Sequence, residues 1–329
     1  MNELLKRCFN SLCDICATRG VLPKICRLDR GKLQWPEKQT YTGGFGIVWE
    51  GTYRGKAVAI KQLNVTHSTS KKIFCCEVIM WKRLSDQNAL PLLGAYIHDS
   101  ELVMVSPWMK NGNIRQYLHN NKRANKLSLL VDVARGVKYL HDIHVVHGDL
   151  KGANILVKDD GSACLADFGL TSIALDLETT DIASTSGGKA DGTYRWMSPE
   201  LFNPELFGGR KVKLTKMSDC YALGMVIYEV ISGKVPFEEL KVSLTVPASV
   251  LKGERPIVPE NIVPRMVGLW ELARECWSHH PQDRPSSTTI LERLNAFEHG
   301  PPQVGAMTAQ LPRNYNHQTS LRPYMRCKK

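Results

Sequence analysis

The sequence lacks any apolar run of the roughly 20 residues that a membrane-spanning helix needs. Its longest apolar stretch lies near Tyr221–Val230, in a chain of 329 residues that is 43% hydrophobic and 23% charged. The first eleven residues carry charges without a following apolar core, which argues against a secretory signal. Cys327 is third rather than fourth from the end of the sequence, so no prenylation signal is expected. We therefore expect a globular, intracellular protein, located in the cytoplasm and without a membrane span.

Acidic residues are scarce near the C-terminal end. The net charge is +11, and residues 301–329 hold five Lys or Arg and no Asp or Glu. Such basic segments can bind nucleic acid or acidic lipid, but a solvated and disordered end is the favoured interpretation. We expect residues 298–329 to form a basic, disordered tail and expect no specific nucleic-acid partner. The sequence shows no internal repeat and does not indicate an oligomeric state.

A second CxxC motif is also missing. Cys8, Cys13, Cys16 and Cys26 contain one such motif, whereas a zinc knot normally adds a second or a His pair. The favoured interpretation of the leader, residues 1–35, is an irregular apolar segment docked on a domain, with a possible short helix at its start. We predict thiols without stoichiometric zinc, and a zinc knot is the alternative. Of the other six cysteines, Cys327 lies in the basic tail and the remaining five lie among apolar residues, which is typical of buried, reduced thiols.

The chemistry of the sequence is concentrated in His147–Asn154, which reads HGDLKGAN. Two short apolar runs follow it, separated by a turn signal of two acids, a glycine and a serine, and this pattern predicts a hairpin. Asn154 and Asp167 would then lie side by side at the open end of the hairpin. Their oxygens, close to the acid Asp149, suit a hard cation such as Mg²⁺. Because Lys151 could neutralise a phosphate, the stretch indicates metal-assisted phosphoryl transfer.

Three glycines in four positions precede a predicted strand. Gly43, Gly44 and Gly46 would let the backbone approach phosphates closely, although a glycine-rich hairpin can also be only a turn. In the next strand, Ala59 and Lys61 lie on one face because strand side chains alternate. A small residue beside an inward lysine suits a flat base with phosphates beyond it. A solvated strand end is the alternative for Lys61.

A predicted helix argues against that alternative. Ser70–Leu84 has apolar residues at helical spacing, and Glu77 lies near the apolar face. A buried acid needs a cationic partner, and Lys61 is the obvious candidate. The apolar runs Leu90–Tyr96 and Leu102–Val105 predict two further strands.

The strings HGDLKGANILV and ADFG resemble the catalytic and metal-binding loops of the eukaryotic protein kinases. The resemblance covers about residues 36–297, with the motifs in the family's order. It implies an α+β, bilobal kinase domain: a small N-terminal lobe with an antiparallel sheet and one main helix, about residues 36–109, and a larger, mostly helical lobe, about residues 110–297.

The resemblance also implies ATP as the phosphoryl donor, Mg²⁺ as the cofactor and a protein as the substrate. The implied catalytic residues are Asp149, Lys151, Asn154, Lys61 and Glu77. The implied metal ligands are Asn154 and Asp167. The implied nucleotide-binding residues are Gly43, Gly44, Phe45, Gly46, Val48, Ala59, Lys61, Ser106, Met109 and Leu156. In this scheme the loop aspartate accepts the proton of the substrate hydroxyl, the loop lysine steadies the γ-phosphate, and the strand lysine, held by the helix glutamate, binds the α- and β-phosphates.

Further strings resemble particular kinase groups. Lys151, two residues after the loop aspartate, resembles the serine/threonine type, and GTYRWMSPE resembles the tyrosine-kinase-like group. Together with the leader string LCDIC…GVLPK, these resemble the expanded kinase families of mushroom-forming fungi. The resemblance also implies that Asp219 holds the catalytic-loop backbone and that Arg284 pairs with Glu200.

The sequence departs from the kinase pattern at two positions. Tyr41 replaces the first loop glycine, and Gly148 replaces the arginine that normally pairs with an activation-loop phosphate. A nucleotide-binding pseudokinase that acts as a scaffold is therefore the alternative function. Because Gly148 carries no charge, we predict basal activity without phosphate on Ser184, Thr185 or Ser186.

Overall fold

The computed structural model describes residues 3–36, 41–43, 46–64, 68–98, 101–168, 193–259 and 264–298. In these ranges the helices are α1 (Glu3–Arg19), α2 (Ser68–Lys82), α3 (Ile114–Asn120), α4 (Lys126–Asp142), α5 (Pro199–Phe202), α6 (Lys216–Ser232), α7 (Val246–Leu251), α8 (Val267–Cys276) and α9 (Ser287–Glu298). The strands are β1 (Leu33–Gln34), β2 (Tyr41–Gly43), β3 (Gly46–Tyr53), β4 (Lys56–Asn64), β5 (Gly94–His98), β6 (Glu101–Pro107), β7 (Ile155–Val157) and β8 (Ala163–Leu165).

The small lobe is an antiparallel sheet in the order β1-β3-β4-β6-β5, with β2 paired to β3. Alternation along β4 sends Val58 and Ile60 into an apolar cluster on one face of the sheet. The residues between and after them, Ala59 and Lys61, therefore lie on the opposite face. Lys61 is paired with Met104 of β6, which belongs to the same apolar cluster as α2. The sheet thus directs Lys61 towards the helix that carries Glu77.

The large lobe is built around α6, a 17-residue helix that is buried along almost its whole length. Thr215 caps its start by accepting a hydrogen bond from Ser218 N, and Gly233, with φ of +73°, ends it. Helix α8 packs on α6, and α9 packs on α4. The buried face of α4 carries Leu130, Val133, Val137 and Leu140. The predicted hairpin is β7–β8, in which Ile155 pairs with Leu165.

The leader differs from the predicted short helix. It forms the 17-residue helix α1, followed by a strap, residues 20–32, that contains the 3-10 turns Lys24–Cys26 and Arg30–Lys32 and leads into β1 at the edge of the sheet. Leu28 N donates to Ala95 O, which ties the strap to β5. Cys13, Cys16 and Cys26 are buried, while Cys8 is exposed. The absence of stoichiometric zinc stays a prediction.

The run Leu90–Tyr96 does not form one strand, because β5 begins only at Gly94. Pro91 has no backbone N–H to donate to a sheet. Leu90 N instead donates to Leu165 O of β8, 2.8 Å away. The segment before β5 therefore connects the small lobe to the hairpin that precedes Asp167.

The predicted α+β, bilobal architecture is confirmed: an antiparallel sheet with helix α2 precedes a mainly helical lobe. Over the described ranges, no helix is both long and apolar enough to cross a membrane. The division into a leader, a kinase domain and a tail stays a prediction. The predicted tail from residue 299 onward lies outside the described residues.

Candidate active site

The catalytic loop lies between α4 and β7 and brings three predicted site residues together. Asn154 Nδ2 donates to the backbone O and to Oδ2 of Asp149, both at 2.8 Å. Lys151 Nζ lies 2.9 Å from the same carboxylate oxygen. Asp149 is 5% exposed, and its other oxygen, Oδ1, accepts no hydrogen bond from the described residues. A buried carboxylate oxygen without a donor is a candidate acceptor for an incoming hydroxyl proton.

Lys151 also connects the loop to the segment that follows residue 192. Its ammonium donates to Thr193 Oγ1 at 2.9 Å. One lysine therefore contacts both the candidate base, Asp149, and Thr193, the second residue of the string GTYRWMSPE. The sequence singles out Thr193 only as part of the string GTYRWMSPE, and the contact with Lys151 was not predicted.

Asn154 and Asp167 bracket the open end of the β7–β8 hairpin. Asn154 O accepts a hydrogen bond from Ala166 N at 2.9 Å, which places Asp167 one residue beyond the last hairpin contact. The side-chain nitrogen of Asn154, Nδ2, donates to Asp149. The side-chain oxygen, Oδ1, is therefore the atom of Asn154 that could bind a cation. Asp167 has φ of +58°, an unusual backbone conformation for a residue with a side chain. A carboxylate and an amide oxygen fit Mg²⁺.

Lys61 lies between two acids, and it is closer to Asp167 than to Glu77. Its ammonium is 2.5 Å from Asp167 Oδ1 and 3.9 Å from Glu77 Oε1. The sequence predicts the Glu77 contact but not the shorter one to Asp167. Burial tends to raise the pKa of Asp167, but the Lys61 ammonium outweighs it, and the net pKa is lowered. The Asp167 carboxylate is therefore ionised at neutral pH, as a metal ligand must be.

Glu77 is the least satisfied acid of the site. Its side chain is 1% exposed, and neither carboxylate oxygen has a hydrogen-bond partner among the described residues. Burial raises the pKa of Glu77 to about 7, with the Lys61 charge acting in the opposite direction. Burial also tends to lower the pKa of Lys61, but Asp167 and Glu77 raise it on balance, so the lysine stays charged.

Asp219, near the start of α6, holds the backbone at the beginning of the catalytic loop. Its carboxylate accepts hydrogen bonds from His147 N at 2.8 Å and from Gly148 N at 2.9 Å. His141 Nε2 lies 2.9 Å from the same carboxylate, and Ser287 Oγ lies 3.0 Å from the other ring nitrogen. The loop backbone is therefore fixed by a buried carboxylate of the large-lobe core, in the place that the kinase resemblance implies.

His147 links the catalytic loop to the residues around Asp167. Its Nε2 lies 3.1 Å from Ala166 O, and its ring packs against Phe168 at a centroid distance of 5.6 Å. Phe168 also packs against Trp81 of α2, at 6.0 Å. One aromatic side chain thus touches both the catalytic loop and the helix that carries Glu77.

Glu229 is a second buried anchor, and sequence reasoning missed it. Its Oε2 accepts hydrogen bonds from Gly152 N at 2.8 Å and from Trp196 Nε1 at 2.7 Å, while Oε1 lies 3.6 Å from Arg115 Nε. A Cβ atom on Gly152 would lie 2.9 Å from Glu229 Oε1 and 3.0 Å from Arg115 Cγ. Burial raises the pKa of Glu229 to about 7. The signal in the sequence is one acid within the long apolar stretch of α6.

Two arginines fix the segment after residue 193. Arg284 makes two hydrogen bonds of 2.7 Å to the carboxylate of Glu200, which is the pairing that the resemblance implies. Arg195 donates to Pro236 O, Phe237 O and Leu240 O. The guanidinium of Arg195 is therefore used by backbone carbonyls. Lys189 and the stretch 184–188 lie outside the described residues.

The predicted nucleotide-binding residues that the structure describes lie on β2, β3 and β4, on and just after β6, and on β7. Ala59 pairs with Ser106, which is buried, and Val48 pairs with Lys61. Met109 packs on the large apolar cluster, and its carbonyl accepts a hydrogen bond from Gly112 N. Leu156 is half-buried and forms a bridge with Asn113. Gly43 pairs with Gly46 at the β2–β3 turn, while Gly44 and Phe45 lie outside the described residues.

Comparison with known proteins agrees with this fold and site. Residues 37–294 match the family of protein tyrosine and serine/threonine kinases, and the chain belongs to this family. It is 31% identical over 260 residues to the serine/threonine-protein kinase STY46 of Arabidopsis thaliana, covering 77% of this chain and 42% of that protein. It is 29% identical over 291 residues to the human serine/threonine-protein kinase TNNI3K, covering 85% of this chain and 33% of that protein. The chain thus spans less than half the length of these two relatives.

Proposed function

We propose that this chain transfers the γ-phosphoryl group of ATP to Ser or Thr hydroxyls of protein substrates. The observation that carries the proposal is the buried Asp149 carboxylate, with one oxygen held by Lys151 and Asn154 and the other without a donor in the described part of the chain. In the reaction the hydroxyl oxygen forms a bond to the γ-phosphorus while the bond to the β–γ bridging oxygen breaks. The hydroxyl proton passes to Asp149, and the bridging oxygen leaves as part of ADP.

The other residues bind and orient the reactants. Lys61 carries a charge for the α- and β-phosphates, and Lys151 carries one for the γ-phosphate. Asn154 and Asp167 would hold Mg²⁺, which when bound neutralises phosphate charge. The catalysis therefore rests mainly on positioning and on fixed charges.

The narrower assignments are supported by sequence resemblance. The names of the relatives, serine/threonine-protein kinases, support Ser and Thr as acceptors. The string GTYRWMSPE supports placement in the tyrosine-kinase-like group, and the leader supports kinship with the fungal kinase expansions. We further propose a kinase domain over residues 36–297, with lobes meeting near residue 109, and a location inside the cell.

The test is phosphorylation of a Ser/Thr-rich protein by purified chain with Mg-ATP, followed by identification of the phosphorylated residues. Asp149→Asn should lower the rate at least a hundredfold, about 2.7 kcal/mol, while ATP affinity changes little. Asp160→Asn is the matched control, because Asp160 is exposed on the hairpin turn, and it should retain full activity. ATP binding without turnover in the unaltered protein would instead identify a nucleotide-binding scaffold.

A further inference from the structure

The leader packs on the helix that carries Glu77. Of the described elements that α2 packs against, α1 makes the most extensive contact with it. The seam contains five buried cysteines and one leucine. They are Cys13, Cys16, Leu22 and Cys26 of the leader and Cys75 and Cys76 of α2. The outer face of the leader carries Ile15 and Ile25, which are 60% and 74% exposed.

The contacts across this seam are mainly apolar. A hydrogen bond with Cys76, together with burial, raises the pKa of Cys13 above that of an ordinary thiol. Burial likewise raises the pKa of Cys16, Cys26 and Cys75. These side chains are therefore protonated at neutral pH and pack as small apolar groups.

Polar contacts fix the leader along the same helix and at the neighbouring strand. Asp14, next to Cys13, lies 2.5 Å from Lys72 of α2. Arg27 Nε donates to Leu22 O at 2.7 Å, which closes the turn between α1 and the strap. The strap then reaches β5 through the hydrogen bond of Leu28 N to Ala95 O.

Glu77 has no hydrogen bond of its own among the described residues, so its position follows that of α2. Near its end α2 is tied to the segment before β5, because Trp81 Nε1 donates to Leu90 O at 2.6 Å. Nearer its start, α2 packs on the leader. Glu77 follows Cys76 directly in α2, and its carboxylate accepts no hydrogen bond from the described residues. Among the described residues, Lys61 is the cation that lies near enough to form an ion pair with it, at 3.9 Å. At that separation a small displacement of α2 would separate the two groups.

We propose that the leader is a positioning element of the active site, in which Cys13, packed on Cys76, holds α2 so that Glu77 stays beside Lys61. The proposal rests on the proposed function for its effect on phosphoryl transfer. Cys13 acts through α2 and does not touch the reactants. The leader would therefore supply from within the chain the packing that keeps Lys61 and Glu77 together.

The experiment compares two substitutions on α1 in the full chain. Cys13→Arg puts a charge into the seam, and Ile15→Arg puts the same charge on the exposed face. For Cys13→Arg we expect alkylation of Cys76 by N-ethylmaleimide to become at least tenfold faster, measured by mass spectrometry. We also expect the affinity for Mg-ATP to fall at least fivefold and kcat to fall at least tenfold, with the KM for the protein substrate unchanged. Ile15→Arg should leave the alkylation rate, the Mg-ATP affinity, kcat and KM within twofold of the unaltered protein. Cys13→Ala should retain at least half of the kcat.

Each outcome decides the proposal. Faster alkylation of Cys76 with unchanged ATP affinity and unchanged kcat would overturn it, and so would equal effects of Cys13→Arg and Ile15→Arg. An unaltered protein that transfers no phosphate would contradict the proposed function. The alkylation and ATP-affinity differences would still support the positioning role in that case, since neither needs turnover.

Cys13→Arg could fail to fold, so hydrogen exchange of the unaltered protein provides a second measurement. If the leader braces α2, the protected amides of α1 and α2 should exchange at similar rates, as one opening unit. Exchange of the α1 amides a hundredfold faster than those of α2 would overturn the proposal, because α2 would then keep its position without the leader.

Discussion

The catalytic loop and helix α2 flank the same candidate site, but their polar contacts differ. The loop backbone donates hydrogen bonds to Asp219 and Glu229, two buried carboxylates of α6. Glu77 of α2 accepts none from the described residues, and its ion-pair partner among them is Lys61, at 3.9 Å. Hydrogen bonds fix a group within a few tenths of an ångström, whereas apolar packing lets a helix shift as a body. The loop is therefore the fixed part of the site. Trp81 Nε1 ties the end of α2 to Leu90 O, but no such bond from the described residues holds Glu77, so α2 at Glu77 is the adjustable part.

The largest effect is expected where the two parts meet, at Lys61. Lys61→Met should lower phosphoryl transfer at least about a thousandfold, ~4 kcal/mol of transition-state stabilisation, because the phosphates lose their charge partner. The fold should survive, since Glu77, with a pKa of about 7, can take up a proton when its partner is lost. Rate measurements and circular dichroism test both statements. Lys138→Met, on the outer face of α4, is the control. Full activity in Lys61→Met would refute the role assigned to this lysine.

The next largest effect concerns the fixed part. The N–H groups of His147 and Gly148 each donate to a different carboxylate oxygen of Asp219. Asp219→Asn leaves one acceptor oxygen, so one of these buried N–H groups loses its partner. We expect about 2–3 kcal/mol of lost stability in denaturant unfolding and roughly a hundredfold slower transfer. Asp142→Asn changes an exposed acid of α4 and should alter stability by less than about 0.5 kcal/mol. A loop that keeps its activity after Asp219→Asn would not need this anchor.

Glu77 provides a smaller and pH-dependent effect. Its pKa is about 7 in the folded protein and about 4.3 in an unfolded chain. Between these two pKa values the Glu77 carboxyl is protonated in the folded state and ionised in the unfolded chain. The free energy of unfolding therefore falls as the pH rises from about 4.5 to about 7. Glu77→Gln removes this loss, so relative to the unaltered protein it should gain about 1–3 kcal/mol between pH 5 and pH 8 while it loses activity. Thermal unfolding at the two pH values measures the gain, and a difference that does not change with pH would contradict the burial argument.

The smallest effect is expected from phosphate on the segment outside the described residues. Gly148, with φ of +78°, donates its N–H to Asp219 and adds no charge to the loop. At this position a kinase with arginine has a charge that a phosphate can neutralise, and Gly148 has no such charge. Phosphatase treatment, verified by mass spectrometry, should change single-turnover transfer by less than about tenfold, ~1.4 kcal/mol. A loss of a hundredfold or more would mean that a phosphate orders the site after all.

The sequence predicts the fixed part better than the adjustable part. Local spacing was enough to predict the β7–β8 hairpin and the grouping of Asp149, Lys151 and Asn154, since these residues are close along the chain. Contacts between distant residues were accessible only through family resemblance, as for Asp219 and the Glu200–Arg284 pair. The short contact from Lys61 to Asp167 was missed, because it depends on how two lobes meet. The leader was predicted as a docked apolar segment with a possible short helix, with a zinc knot as the alternative. The 17-residue length of α1 and its seam with α2 were not predicted.

The close approach of Gly152 to Glu229 limits which residues can replace Gly152. A methyl group at position 152 would lie 2.9–3.0 Å from both carboxylate oxygens and from an Arg115 carbon, which is tighter than ordinary van der Waals contact. A descendant that acquires alanine at position 152 must therefore first, or at the same time, shorten or move the side chain at position 229. Position 152 is therefore expected to carry a side chain only in relatives whose residue at position 229, 77 residues further on, has also changed.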